Sequence, residues 1–581
     1  MALRDKLPVS YLLFTNRGRI DRHTYWVASL FLWTTFYVLF SAITNFISFG
    51  WTWVLYPVLF WSLYCLSAKR LHDVGLRPHI LWLALIPLLG PILLLLLLGL
   101  KKGNPGRNNY GAVPGSAPDY YRNGDAQKLT GASAEQRVVN DITRLNPVVV
   151  EQVVTPKTIQ ELQEIIKNSS LPVSIGGGRF SMGGQTASTG TTHIDMRGLN
   201  KIVEFSKSEK RIVVEAGVRW CDIQRYIDEH DLSITTMQTY ANFTVGGALS
   251  VNCHGRYIGY GPLILSVKSL DVILADGALV HVSASEQPEI FYACIGCYNA
   301  IAVIARAELE LADNVAVKRS QKKMKRPDYT SFFFKNVSPK RDVIFHNGDI
   351  YPPEYSRVRA VSWEATSERP TVATRLMPLN AAYPIDRSVI WALSMNSLGK
   401  RIREYIVDPL VYTSQKIHWR NYEAGYDVLE LEPTSRSKST YVLQEYFVPV
   451  RNFDAFAEIM AEIFIRYDVN VINVSIRHAI ADPGSMLAWA REDVFAFVVY
   501  YKQRTDEVEK NKVAIWTREL IDAAIACSGS YYLPYQVHAT ASQFHAAYPR
   551  AEELFVLKRR LDPTYKFRNV IWDTYYRTKE E

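Results

Sequence analysis

Two glycine-rich segments, Ser174–Gly184 (SIGGGRFSMGG) and Phe243–Gly255 (FTVGGALSVNCHG), carry the strongest chemical signal in this 581-residue chain. Glycines in series let consecutive backbone N–H groups converge on one anion, because no Cβ blocks the approach or the positive-φ geometry it needs. A diphosphate fits such a cradle. The spacing is neither the G-x-G-x-x-G of a Rossmann turn nor the G-x-x-x-x-G-K-[ST] of a nucleoside triphosphate loop. Cys294 and Cys297 have C-x-x-C spacing, but no second pair accompanies them to complete a zinc site, and six scattered cysteines make no disulfide framework. Without an H-x-x-x-H or clustered carboxylates, no metal site is expected.

The elements around the loops explain their placement. Val148–Val154 is β-branched and reads as a strand. Thr155–Thr158 supplies an N-cap and a proline for a helix over Ile159–Lys167, with Leu162, Ile165 and Ile166 on one face. Pro172–Ile175 is the next strand and runs straight into Gly176, so the strand end delivers the loop's N–H groups to a ligand. Further on, Arg211–Gly217 reads as a strand and Trp220–His230 as a helix. Asp276-Gly277 between two apolar runs marks a hairpin. A second unit reads as strand Tyr441–Pro449, helix Phe453–Tyr467, strands Val471–Ala479 and Phe495–Lys502, helix Val508–Cys527 and strand Tyr531–His538. That order suggests an antiparallel sheet with helices on one face. Pro327–Lys438 gives no clear pattern.

The two loops, in this order and with these flanks, resemble those of the vanillyl-alcohol-oxidase superfamily of FAD enzymes, particularly its aldonolactone and alditol oxidases and decaprenylphosphoryl-ribose oxidase. The resemblance covers about Asn146 to Trp572. It implies an α+β two-lobed flavoprotein, with an FAD-binding domain at 146–317, a substrate-binding cap at 318–543 and a segment at 544–581 returning to the flavin domain. Gly176, Gly177, Gly178, Arg179, Phe180 and Ser181 match the first diphosphate-contacting loop. Thr244, Val245, Gly246, Gly247, Ser250, Asn252, His254 and Gly255 match the second, and Ala302, Val303 and Ile304 match a segment beside the adenine. Covalent members carry a histidine where this chain has Arg179, so non-covalent FAD is expected.

The resemblance also implies hydride transfer from a substrate carbinol carbon to flavin N5, with a nearby base taking the hydroxyl proton. Relatives that oxidise sugars place a lysine on the last cap strand; here the matching position is Tyr535, with Gln536 and His538 close by. An unperturbed phenol titrates near 10 and needs activation, whereas imidazole titrates nearer neutrality. On a regular strand Tyr535 and His538 face opposite sides. Glu445 matches a substrate-contacting position, and Arg477 has the planar fork to hold a carboxylate, a phosphate or a reduced flavin. Glu445 and Arg477 are also placed to pair with each other if their strands adjoin. The missing lysine leaves open flavin-dependent reduction of an alkene in a sterol or polyprenoid, and a non-catalytic FAD-binding scaffold is a third alternative. Cys253, beside the expected flavin, bears on whether O2 or a membrane quinone accepts the electrons.

The first hundred residues differ in character. Thr24–Phe49 and Trp51–Ala68 carry no charge, and His79–Leu100 holds only its leading histidine, each about 18 residues or more, the length that crosses a bilayer. Basic residues at Arg17, Arg19, Arg22, Lys69, Arg70, Arg77, Lys101, Lys102 and Arg107 flank all three runs. Keeping every cluster on one side requires that the third run, interrupted by Pro87 and Gly90-Pro91, re-enter rather than cross. Gly18–Trp26, Lys69–Asp73 and Gly103–Gly111 resemble a family of small bacterial membrane proteins of unknown function. This implies an all-α integral-membrane domain at 1–112, then a linker at 113–145. A bacterial inner membrane with the flavin domain in the cytoplasm is the expected setting. The net charge of +9 comes without basic runs interleaved with aromatics, so membrane lipid and a small-molecule or lipid-linked substrate are the expected partners, not nucleic acid.

Overall fold

The computed structural model describes residues 9–16, 18–46, 48–85, 89–104, 108, 110, 137–379, 393–394, 396–426, 436 and 438–576. Most of the expected linker therefore lies outside the described residues, as does Pro87. The chain divides into two compact units, one N-terminal and one formed mainly by residues 127–377, 392–428 and 432–581.

In the N-terminal unit two helical segments, Arg22–Asn45 and Phe49–Asp73, are long and apolar enough to cross a bilayer. Leu32, Phe36, Leu59 and Leu66 pack them together. The third apolar run is not one helix. A 3₁₀ segment, Pro78–Leu85, and a helix, Leu89–Leu95, fold against each other, and the Leu83 carbonyl oxygen lies 1.7 Å from where a Gly90 Cβ would stand. A π turn, Leu96–Leu100, then brings the chain back to where the run began: Arg70 Nε donates to the Leu98 carbonyl at 2.9 Å, and the Asn104 N–H donates to the Asp73 carbonyl at 2.8 Å. Both ends of the run thus meet the C-terminal end of helix Leu55–Asp73.

The three segments that carry the small-membrane-protein resemblance converge there. Asp73 accepts from Arg19 Nη2 at 3.0 Å and from Arg70 Nη1 at 2.6 Å, while His72 Nδ1 lies 3.0 Å from the Gly18 carbonyl and its ring stacks on Tyr110. A Gly103 Cβ would stand 2.0 Å from the Asp73 carboxylate, so only glycine lets the third segment pass.

The larger unit mixes helices with three principal sheets. Gln152–Val154, Thr192–Asp195 and Val173–Gly176 form a parallel sheet with Thr192–Asp195 in the centre. Helix Ile159–Asn168 connects its outer strands, capped by Thr158, whose hydroxyl accepts from the Glu161 N–H. The expected strand Val148–Val154 is broken at Val150 and Glu151, whose N–H groups bond to Arg137 and Thr191 carbonyls, and Pro156 precedes the cap rather than opening the helix. An antiparallel sheet follows in the order Leu279–Ser283, Val267–Leu274, Ala302–Asp313, Arg211–Glu215, Ile202–Ser206. Its first two strands are the expected hairpin, with Gly277 at φ +87°.

After Asn314 the chain switches to an eight-stranded antiparallel sheet. Its order is Ile417–Trp419, Ala316–Lys325, Arg357–Ala365, Val343–Ile350, Val471–Ala479, Val494–Arg504, Ser439–Pro449, Ser530–Tyr531. Helices Phe453–Arg466 and Glu507–Ala526 cover one face through Phe456, Phe464 and Trp516. The expected last strand is corrected: it is only Ser530–Tyr531. Pro534 lacks an N–H, and the carbonyls of Leu533, Pro534 and Tyr535 are taken by Gln185 and Met182 instead of a strand partner.

The C-terminal segment closes onto the parallel sheet: Val173 N–H donates to the Lys566 carbonyl and Arg568 N–H to the Val173 carbonyl. It is pinned by Lys558, whose buried ammonium donates to Asp562 at 2.8 Å and to the carbonyls of Ala300 and Phe567. Breaking a buried pair on one side leaves an uncompensated charge, so Lys558→Met is expected to destabilise this unit by about 3–5 kcal/mol. Urea denaturation followed by tryptophan fluorescence checks this, and an unchanged midpoint would reject the role.

Candidate active site

The first glycine loop leaves the parallel sheet at Gly176, and its glycines are demanded by neighbours. A Cβ on Gly176 would stand 2.8 Å from the His193 ring, one on Gly177 2.3 Å from Thr244 Oγ1, and one on Gly183 2.3 Å from the Tyr535 carbonyl oxygen. The second loop opens the short helix Val245–Ser250, where a Gly246 Cβ would meet Ala216 at 2.7 Å. Between the loops lies a crevice lined by Gly177, Ser181, Thr244, Gly246, Gly247, Ser250 and Ile304, all expected from the sequence, together with Ile175, Gln185, Thr186, Met196, Ala216, Val251, Tyr298 and Asn299, which were not.

Other expected residues support the crevice without lining it. Phe180 stacks on Phe243 at 4.3 Å, and Val245, Ala302 and Val303 are core residues. Arg179 is buried at φ +60°, with Nη2 3.6 Å from Asp195. Asn252 turns to the other lobe: Nδ2 donates to Asp482 at 2.7 Å, and its carbonyl accepts from Trp489 Nε1. Gly255 packs against the Met237 carbonyl. Gly176 and Gly178 are filled by His193 and Phe180 rather than by open space.

Two buried groups at this cradle lack partners. Thr244 Oγ1, against Gly177, has no hydrogen-bond partner, and neither has His193 Nε2. The His193 tautomer follows from its neighbours. Thr191 Oγ1 donates to the Ser188 carbonyl, so Ser174 donates to Thr191 and accepts from His193 Nδ1 at 3.0 Å. Nε2 is thus a bare acceptor behind Gly176. Burial, with the Arg179 charge second, pushes the His193 pKa down to about 3. The sequence signal was a fully buried strand, Thr192–Asp195, carrying a histidine and an aspartate. A hydroxyl and free space between glycine loops fit an extended anionic cofactor such as FAD.

A second constellation joins this loop system to the large sheet. Glu445, buried on strand Ser439–Pro449, accepts from His254 Nε2 at 2.6 Å through Oε2 and from the Tyr535 hydroxyl through Oε1. Burial alone would raise the Glu445 pKa, but His254, Arg477 and Tyr535 outweigh it and hold the carboxyl below its usual range. Burial and the adjacent Glu445 charge raise the Tyr535 phenol well above 10, so Tyr535 stays protonated and donates. Because a carboxylate only accepts, His254 Nε2 carries a proton; Nδ1 is buried without a partner. Phe447, Trp489 and Tyr532 surround the His254 ring.

Arg477 does not pair with Glu445 across neighbouring strands, because Val494–Arg504 lies between theirs; Glu445 faces Val498 and Arg477 faces Ala496. Its Nε is buried and unpartnered. His538 is not brought to the cluster. Its carbonyl accepts from Arg518, and burial plus the Arg518 charge lower its pKa to about 4. The opposite-faces argument lapses because residues 532–539 are not a strand.

Sequence reasoning missed Gln185 and Met182. Gln185 Nε2 donates to the Leu533 and Tyr535 carbonyls while Oε1 accepts from Gly183 N–H, and the Met182 N–H donates to the Pro534 carbonyl at 2.6 Å. Together they fasten the Tyr535 loop to the first glycine loop. Cys253 is fully buried, and burial raises its thiol pKa.

Comparison with known proteins agrees with this architecture. Residues 150–283 match the family described as "FAD binding domain", and residues 13–112 match "Protein of unknown function (DUF805)". Cytokinin dehydrogenase 6 of Oryza sativa subsp. japonica is 30% identical over 215 residues, 35% of this chain and 40% of the relative. Cytokinin dehydrogenase 2 of Arabidopsis thaliana is 28% identical over 206 residues (34% and 40%), and L-gulonolactone oxidase of Mus musculus 27% over 155 (26% and 35%). The chain thus spans 35–40% of the length of these relatives. Residues 150–283 therefore match an FAD-binding domain, and residues 13–112, ahead of it in the chain, a DUF805 domain. FAD is the cofactor.

His193 makes the larger unit sensitive to acid. Its folded pKa is depressed, so its contribution is complete above about 6.5, where the unfolded imidazole is also neutral, and is lost as pH falls towards 3. Between pH 7.5 and 5 this amounts to about 2 kcal/mol. The His193→Asn variant is expected to lose that much less over the same interval, measured by urea unfolding at both pH values. An identical pH dependence in the two proteins would show that His193 is not held neutral.

Proposed function

We propose that the chain is a membrane-anchored FAD-dependent oxidoreductase that oxidises a carbinol carbon of a sugar, a sugar-lipid or another amphipathic alcohol. Residues 146–317 hold FAD non-covalently, 318–543 form the substrate-binding cap, and 544–581 return to the flavin domain. The observation that carries the reading is the run Tyr535–Glu445–His254, which leads from the half-buried Tyr535 to the second glycine loop. Bound FAD supplies an acceptor for the hydride of the substrate's C–H bond.

The chain's own residues handle the proton. Tyr535, held protonated beside the Glu445 carboxylate, accepts the substrate hydroxyl proton as it passes its own to Glu445 Oε1. His254, bonded to Oε2, stabilises Glu445 while it is charged and fixes which oxygen faces Tyr535. Arg477, with Nε unpartnered and its charge acting on Glu445, binds substrate oxygen. Gln185 keeps the Tyr535 loop in place. Thr244 donates its free hydroxyl to the cofactor's diphosphate.

The membrane part of the reading rests on the two long apolar segments and on their outward residues: Trp26, Leu30, Phe31, Tyr37, Phe60 and Trp61 are exposed, whereas Lys69, Arg70 and Asp73 are buried. Either O2 or a membrane quinone is the electron acceptor.

Anaerobic mixing of detergent-purified protein with candidate alcohols tests the reaction through bleaching of the flavin absorbance. Bleaching by NADPH and not by any alcohol would instead favour alkene reduction. Tyr535→Phe and Glu445→Gln are expected to slow alcohol-driven bleaching about 10²–10⁴-fold with FAD content unchanged. A Tyr535→Phe protein that bleaches at the wild-type rate would remove Tyr535 from the mechanism. Arg179 offers no imidazole for a histidyl–flavin bond, so acid precipitation is expected to release all yellow colour into the supernatant. Colour retained in the pellet would mean a covalent link.

A further inference from the structure

The region 397–411, which the sequence pattern left unread, is a continuous helical segment: Ser397–Ile402, a π turn at Arg403–Val407, then Asp408–Val411. Its polarity is inverted. A helix on a soluble protein buries its apolar stripe and shows its charges to water. Here Leu398, Tyr405, Ile406 and Leu410 are 67, 53, 55 and 67% exposed, with Ile402 and Val411 also exposed, while Lys400 and Glu404 are buried.

The underlying sheet explains why the charged side turns inward. Arg319, Lys323 and Lys325 share one face of strand Ala316–Lys325, beside Arg357 and Arg359 of the neighbouring strand. Onto this cationic face the helix sets its acids and carbonyls. Lys323 Nζ pairs with Glu404 at 2.7 Å, the Tyr351 hydroxyl donates to Asp408 at 2.7 Å, and Arg319 Nη2 donates to the carbonyls of Val411 and Ser414. Lys323 and Arg357 lie over the Tyr405 ring at 4.4 and 5.5 Å, and Arg319 and Arg359 over the Tyr412 ring at 4.5 and 4.7 Å. The result is an apolar ridge with an aromatic at its rim, backed by more cations than the two helix carboxylates neutralise.

We infer that this ridge lies in the interface of an anionic lipid bilayer, with Leu398, Ile402, Ile406 and Leu410 among the acyl chains and the exposed Lys325 and Arg357 at the headgroups. The charge complementarity selects lipid over an apolar protein surface, since acidic headgroups meet the exposed Lys325 and Arg357, which an uncharged partner would cover without an acceptor. The inference rests on the membrane reading above and adds to it a second contact, made by the cap itself. An amphipathic substrate dissolved in the bilayer would then reach the cap without crossing water.

The described cysteines are all buried, so one surface cysteine takes a label selectively. The full chain carrying Leu410→Cys or Ile402→Cys, labelled with bimane, is placed in nanodiscs of phosphatidylcholine and phosphatidylglycerol that contain nitroxide-labelled acyl chains. Val508→Cys, on the exposed side of another helix, serves as control. Quenching at 410 and 402 is expected to exceed that at 508 by about twofold or more, and to weaken when phosphatidylglycerol is omitted. Equal quenching at all three positions overturns the inference. So does a blue-shifted but unquenched label at 410, because protein would then cover the ridge. Failure of the flavin-bearing chain to enter nanodiscs would instead reject the membrane reading itself, which separates the two results.

Discussion

A buried carboxylate has to be surrounded by donors or lose its charge, and the site is arranged around that constraint at Glu445. Its two oxygens accept from two different parts of the fold. His254 comes from the second glycine loop, and Tyr535 from a loop fastened to the first. Glu445 thus ties both halves of the cradle to the large sheet. The same arrangement underlies the proposed chemistry. In that proposal the charge that keeps Tyr535 protonated would also accept the Tyr535 proton, so the phenol would need no lowered pKa of its own to take part. The activation problem that a free phenol poses would then be met by geometry rather than by titration.

Much of this was legible in the chain because it depends on local pattern. Gly176, Gly177 and Gly246 stand where any Cβ would strike His193, Thr244 or Ala216, and such close approach is what a run of glycines records. The hairpin at Asp276-Gly277, the Thr158 cap and strand Val471–Ala479 likewise follow from turn chemistry, capping and β-branched runs. The failures share a different cause. Residues 532–539 have the composition of a strand, but their carbonyls are claimed by Gln185 and Met182, some 350 residues earlier in the chain. His193 sits inside the short strand Thr192–Asp195 and gains meaning only from Ser174, Thr191 and the cradle beside it. Neither arrangement leaves a periodic trace. The expected pairing of Glu445 with Arg477 failed for a related reason: strand order is not sequence order, and a third strand lies between them.

The unread region 397–411 failed most instructively. Periodicity tells which residues share a helix face but not which medium that face meets. An apolar stripe is normally assigned to the core, yet here the sheet below offers Arg319, Lys323, Arg357 and Arg359, and burying leucines on these four guanidinium and ammonium groups would leave those charges without acceptors. Placing Glu404 and Asp408 underneath gives Lys323 and the Tyr351 hydroxyl their acceptors, at the cost of exposing the apolar side.

The N-terminal unit obeys the same rule. Asp73, Arg19 and Arg70 close an internal network whose donors also cap the Leu98 carbonyl, and the aromatic and aliphatic side chains are turned outward. A fold stable in water alone would gain by exchanging inside and outside in both places, since each exposed leucine forgoes about 1.5–3 kcal/mol of burial. That neither element makes the exchange is the physical basis of the two proposals that place them in an apolar phase. It also gives the three segments that carry the DUF805-like resemblance, Gly18–Trp26, Lys69–Asp73 and Gly103–Gly111, a common structural purpose, because each contributes a donor, an acceptor or the space that the Asp73 network requires.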